Sequence, residues 1–145
     1  MEFSRHATVN WSGTIMEGKG SARAGSGAFT LPVSFPRRIG AAEGGTSPEE
    51  LIAAAHATCY AMVIAATMAK KNATVAKHTV TCTVTADKGD AGIQIKTSKL
   101  DIVAEGLSGM DAATFEQTAR EAEGKCPVSN ALRNGLKIEV SVTVR

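Results

Sequence analysis

Three cysteines, Cys59, Cys82 and Cys126, carry the side chains in this sequence that most readily act as nucleophiles, and their settings differ. Cys126 is followed by Pro127, a residue suited to the first position of a helix. That places the thiol at an N-cap or in a first turn, where free N–H groups and the helix dipole favour a thiolate, although an ordinary helix start has the same pattern. Cys59 lies in a long apolar stretch, where a cysteine is most simply a small buried hydrophobe. The segment ahead of it, however, carries Arg37 and Arg38, and Glu49 stands at the start of the stretch itself. A guanidinium folded toward Cys59 would stabilise a thiolate, and a carboxylate could fix that guanidinium by a bidentate pair. Cys82, between Val80 and Val84, reads as core. His56-Ala57-Thr58-Cys59 has a metal-like helical spacing, but no second ligand pair accompanies it, so no metal is expected.

The cysteine count is odd and Met1–His6 does not resemble a signal peptide, so the reading is a cytoplasmic protein with free thiols rather than a disulfide scaffold. With 145 residues, one domain over 1–145 is expected, large enough to bury a core without staples. Sixteen Lys and Arg against fourteen Asp and Glu are interspersed, and only 4% of residues are aromatic. A phosphate-tracking or base-stacking surface is therefore not expected.

The elements that would position these groups follow from pattern. Residues 7–35 read as short strands broken by glycine, with Pro32 and Pro36 marking an edge or an end. Residues 36–46 read as a polar loop. Ser47 as N-cap, Pro48 at the first helical position and Glu50 as the third member of a capping box start a strong helix, leaving Glu49 free. From Leu51 to Ala69 that helix is apolar on nearly every side. Its length touches that of a membrane span, but alanine dominates it, and no membrane association is expected. A helix buried all round needs more cover than one such chain supplies, which predicts a second subunit.

Beyond it, His78, Val80, Cys82, Val84 and Ala86 alternate with threonines. A turn over Asp87–Gly92 leads to a returning strand whose inward parity changes from Ile93 and Ile95 to Leu100, Ile102 and Ala104. That change predicts a bulge near Thr97-Ser98-Lys99. A helix from about Asp111 to Glu123 buries Phe115, Ala119 and Ala122 and stops at Gly124, a short helix begins at Cys126-Pro127, and Leu136–Val144 is a closing strand. The class is α+β.

The run Gly45-Thr46-Ser47-Pro48-Glu49-Glu50-Leu51-Ile52-Ala53-Ala54-Ala55-His56-Ala57-Thr58-Cys59, followed by Cys126-Pro127-Val128-Ser129-Asn130-Ala131-Leu132, resembles the OsmC/Ohr family of hydroperoxide-reducing proteins, most closely its osmotically inducible branch. The resemblance implies an intertwined homodimer in which antiparallel sheets enclose two long central helices, with active sites at the subunit interface. It implies that Cys59 is the peroxidatic cysteine and Cys126 the resolving one, with Glu49 orienting an arginine that stabilises thiolate and peroxide. Arg38 matches that arginine, and Arg37 is the neighbouring alternative. The implied activity is reduction of organic hydroperoxides, hydrogen peroxide or both, without a cofactor. It passes through a Cys59 sulfenic acid and a Cys59–Cys126 disulfide, regenerated by an external dithiol of the dihydrolipoyl type. The competing readings are a non-catalytic dimer that binds an apolar ligand or partner beside Tyr60 and Met62, and a redox sensor using the same cysteines.

Overall fold

A computed structural model describes residues Met1–Arg145 as two compact units, Met1–Leu51 and Ile52–Arg145. In the first, β1 (Ala7–Ser12), β2 (Lys19–Ala24) and β3 (Thr30–Val33) form an antiparallel sheet in the order β1-β2-β3. Pro32 lies on edge strand β3, where its missing N–H costs no ladder bond, and its carbonyl accepts from the Thr46 N–H at 2.9 Å. The segment expected to be a polar loop instead begins with a short helix, α1 (Phe35–Ile39). Pro36, read from sequence as a strand terminator, occupies the first turn of α1, where no intrahelical N–H is needed.

The helix α2 (Pro48–Lys70) starts as its sequence predicts: the Ser47 hydroxyl accepts from the Glu50 N–H at 3.1 Å. The reciprocal half of the capping box is replaced, since the Glu50 carboxylate accepts from the Thr46 hydroxyl at 2.6 Å. By length and composition α2 could cross a membrane, with a mean hydropathy of 1.7 over its most apolar window. It is not buried on every side within the chain. His56, Tyr60, Ile64, Thr67 and Met68 are enclosed, whereas Met62 is 66% exposed, because one sheet and two short helices can cover only one face.

In the second unit, β4 (Thr74–Gly89) and β5 (Gly92–Ser108) form a long hairpin, and β6 (Lys137–Val144) pairs with β5. The hairpin turn is tighter than expected, only Asp90 and Ala91, and Gly92 at φ +115° supplies the left-handed backbone that closes it. The register shifts where Thr85 pairs Thr97 but Ala86 pairs Ile95. The bulge thus centres on Lys96, just ahead of its predicted place, and it turns Ser98, Leu100, Ile102 and Ala104 inward. The expectation of purely antiparallel sheets fails here, because β5 and β6 are parallel. Between them α3 (Ala112–Glu123) and α4 (Pro127–Leu132) carry the chain back to the end from which β5 set out, and a crossover of that length permits parallel pairing. The core gathers Tyr60, Ile64 and Met68 of α2, Leu100, Ile102 and Ala104 of β5, and Phe115, Ala119 and Ala122 of α3, together with Cys126.

Candidate active site

The first unit holds the charged pair. Ser34 caps α1 in extended backbone, and the Arg38 N–H returns to the Ser34 carbonyl at 3.1 Å, so Arg38 lies in the last turn. Its guanidinium meets Glu49 side-on: Nη2 donates to Oε1 at 2.7 Å, and Nε donates to Oε1 at 3.1 Å and Oε2 at 3.2 Å. Partial burial opposes the Glu49 charge. The Arg38 hydrogen bonds and charge outweigh it, helped by main-chain N–H and the Ser47 hydroxyl, and they hold the carboxyl below its ordinary range. Arg37 makes no ion pair with any carboxylate. Its stem lies under the following loop, where a Cβ on Gly45 would come within 2.8 Å of Arg37 Cδ. Of the two candidate arginines, Arg38 is the one fixed by Glu49.

Beside Arg38 opens a mostly apolar cleft of about 210 Å³, lined by Trp11, Ile15, Val33, Phe35 and Leu51 among others. Of the two residues in the competing binding reading, Tyr60 is fully buried and donates to the Ala119 carbonyl at 2.7 Å, while Met62 is exposed. Trp11 lines the cleft, and Tyr60 is core.

The second unit holds the thiols. Cys59, on α2, is half-buried, and Cys126, the N-cap of α4, is fully buried. Burial pushes the Cys59 thiol up. The Val128 N–H at the start of α4 favours its thiolate, while the adjoining Cys126 thiol disfavours it, and the net direction is upward. The helix-start N–H thus faces Cys59, a placement the sequence pattern had associated with Cys126 itself. No disulfide joins the two.

A buried polar chain that the sequence reading did not find runs behind these thiols. His56, fully enclosed, places Nδ1 at 2.7 Å from Ser98 Oγ and Nε2 at 2.6 Å from Ser129 Oγ, and both serines are also fully buried. Cys82 Sγ lies 3.1 Å from Ser98 Oγ. One donor order satisfies all four groups: Cys82 donates to Ser98, Ser98 to Nδ1, and Nε2–H to Ser129. Both imidazole nitrogens are committed, which leaves neither free to ligate a metal. Ser98 had a signal in the sequence, as a hydroxyl on the inward parity of Leu100, Ile102 and Ala104. Ser129 and Val128 had none, since their roles depend on where α4 docks.

The family model for OsmC-like proteins matches residues 40–141. The chain is 34% identical over 141 residues to the peroxiredoxin OsmC of Escherichia coli strain K12, covering 96% of each protein. It is 30% identical over 144 residues to an organic hydroperoxide resistance protein of Xanthomonas axonopodis pv. citri, covering 97% of this chain and 94% of that one. Among solved structures, an organic hydroperoxide resistance protein from Legionella pneumophila superposes with a TM-score of 0.76 at 23% identity, covering 97% of each chain, and that likeness bears on fold alone.

Proposed function

Because the chain belongs to the OsmC-like family, we propose that it is a cysteine-based hydroperoxide reductase, acting as one domain over residues 1–145 in a cytoplasmic homodimer. The observation that carries this reading is the pairing of a half-buried Cys59 with a neighbouring Cys126 under the Val128 N–H. Two sulfurs so placed suit a two-step cycle. The Cys59 thiolate attacks one peroxide oxygen, the O–O bond breaks, and an alcohol or water leaves while Cys59 becomes a sulfenic acid. The Cys126 sulfur then displaces that hydroxyl, which leaves as water with the Cys126 proton, and a disulfide forms. An external dithiol, of the dihydrolipoyl type, reduces it.

An upward-shifted Cys59 needs a cation to ionise readily, and the prepared cation is Arg38. Glu49 and Cys59 are ten residues apart on α2, about 15 Å of helix rise. An Arg38 locked onto Glu49 is proposed to serve the Cys59 thiolate of a second copy, at a site shared between subunits. The uncovered apolar face of α2 supports the same assembly, in which two long helices would be enclosed together. Arg38 would lower the Cys59 pKa and stabilise the leaving oxygen, with Glu49 holding its orientation. The apolar cleft beside Arg38 supports an organic hydroperoxide as the better substrate. The test is steady-state turnover of cumene hydroperoxide with dihydrolipoate. Cys59→Ser is expected to abolish it, and Cys126→Ser to stop after one oxidation of Cys59. Undiminished multiple turnover by either variant would overturn the assignment.

A further inference from the structure

The disulfide step asks Cys126 to close on Cys59, yet Cys126 stands at the head of α4, a helix of only six residues. A helix so short does not hold itself in place and depends on its tertiary attachments. Its exposed ties are local: the Asn130 side chain donates to the Gly124 carbonyl at 3.1 Å, and Arg133 pairs with Glu123 at 2.7 Å. Cys126 and Val128 pack into the core, and the hydrogen bond that fixes α4 there is the 2.6 Å bond between Ser129 and His56. It joins the two cysteine-bearing elements at matched positions, since His56 precedes Cys59 by three residues on α2 and Ser129 follows Cys126 by three residues through α4. On its far side the imidazole is anchored by Ser98 of β5 at 2.7 Å, so the ring is held by the sheet rather than free to follow α4.

We propose that His56 is a positioning residue for disulfide closure: through Ser129 it holds the first turn of α4, and with it Cys126, against Cys59. This rests on the peroxidase reading, and it concerns the second oxidative step alone, Cys59–SOH plus Cys126–SH giving the disulfide and water. In the first step Ser129 donates nothing to Cys59 or to the peroxide, and it bears on that step only through the neighbouring Val128 N–H.

The experiment is stopped-flow oxidation of the reduced full-length protein by cumene hydroperoxide, resolving sulfenic acid formation from disulfide closure. Intact-mass measurement of Cys59 sulfinic acid accompanies it at rising peroxide. Ser129→Ala is expected to slow the second phase about tenfold or more, well beyond any slowing of the first phase through the neighbouring Val128 N–H, and to raise the sulfinic fraction accordingly. His56→Asn is the second variant, because its shorter amide retains a group near Nδ1 for Ser98 while releasing Ser129, and the same split is expected. Tyr60→Phe is the control for general loosening. It removes another fully buried hydrogen bond of α2, the one to Ala119 on α3, and should leave the ratio of the two phases unchanged. Closure at the wild-type rate in Ser129→Ala and His56→Asn would overturn the proposal, as would equal slowing by Tyr60→Phe. Wild-type protein whose Cys59 does not oxidise at all would instead remove the peroxidase reading beneath it.

Discussion

Arg37 and Arg38 are adjacent and chemically alike, so only their surroundings separate them. Arg38 donates three hydrogen bonds to Glu49, while Arg37 has no carboxylate partner. Arg38→Ala is accordingly expected to lower kcat/KM for an organic hydroperoxide by about a hundredfold, the scale of losing one preorganised transition-state donor. Arg37→Ala should stay within about twofold, as surface charges outside a site do. Equal losses in both would contradict the assignment. His56 offers a second residue-scale prediction. Burial holds its pKa below the ordinary value of 6.5, with Arg133 acting the same way and Glu123 opposing. Below pH 6.5 the unfolded chain takes up a proton that the folded chain refuses. Stability should therefore be full above that pH and fall as pH drops below it, by up to about 1.4 kcal/mol per pH unit until the folded pKa is reached. Urea midpoints from pH 7.5 to 5 should show a decline that is shallower in His56→Asn, and identical slopes would contradict a neutral buried imidazole. Ser98 was read only as part of the expected bulge, and it faces the core because the bulge falls two residues earlier, at Lys96. The His56–Ser129 bond spans 73 positions of sequence, and no local pattern encodes it.

At the scale of elements, what was legible is what is decided locally. The start of α2 followed from Ser47, Pro48 and Glu50, the apolar face of α3 from Phe115, Ala119 and Ala122, and the cap of α4 from Cys126-Pro127. The α1 turn was hidden because Pro36 serves equally well as a strand stop and as a first helical residue. The direction of β6 was hidden too. Alternation of Ile138, Val140 and Val142 gives a face but no polarity, which the connection through α3 and α4 decides. The unpaired side of α2 is the element whose character depends on assembly. Met62→Glu places a charge where a second copy is proposed to pack. It should convert the dimer to monomer in sedimentation velocity and lower peroxide turnover in parallel. A fully active Met62→Glu monomer would contradict a site shared between copies.

For the molecule as a whole, family membership and the α+β class agree with the reading of the residues, the α1 helix and the parallel β5–β6 pairing depart from it, and the homodimer and the thiol chemistry are what we propose. Cys59 and Cys126 could be singled out by type and setting and Glu49 by its freedom from the helix cap, whereas Arg38 stood apart from Arg37 only through the family resemblance. The roles of the apolar cleft and of the polar chain behind the thiols depend on packing that no single segment determines. The most direct test titrates free thiols in the reduced protein after one equivalent of cumene hydroperoxide and maps the products by peptide mass. Loss of two thiols per chain, recovered as a Cys59–Cys126 disulfide with Cys82 still free, and no loss in Cys59→Ser, is the predicted result. Three thiols persisting in the wild-type protein, or a disulfide that involves Cys82, would contradict it.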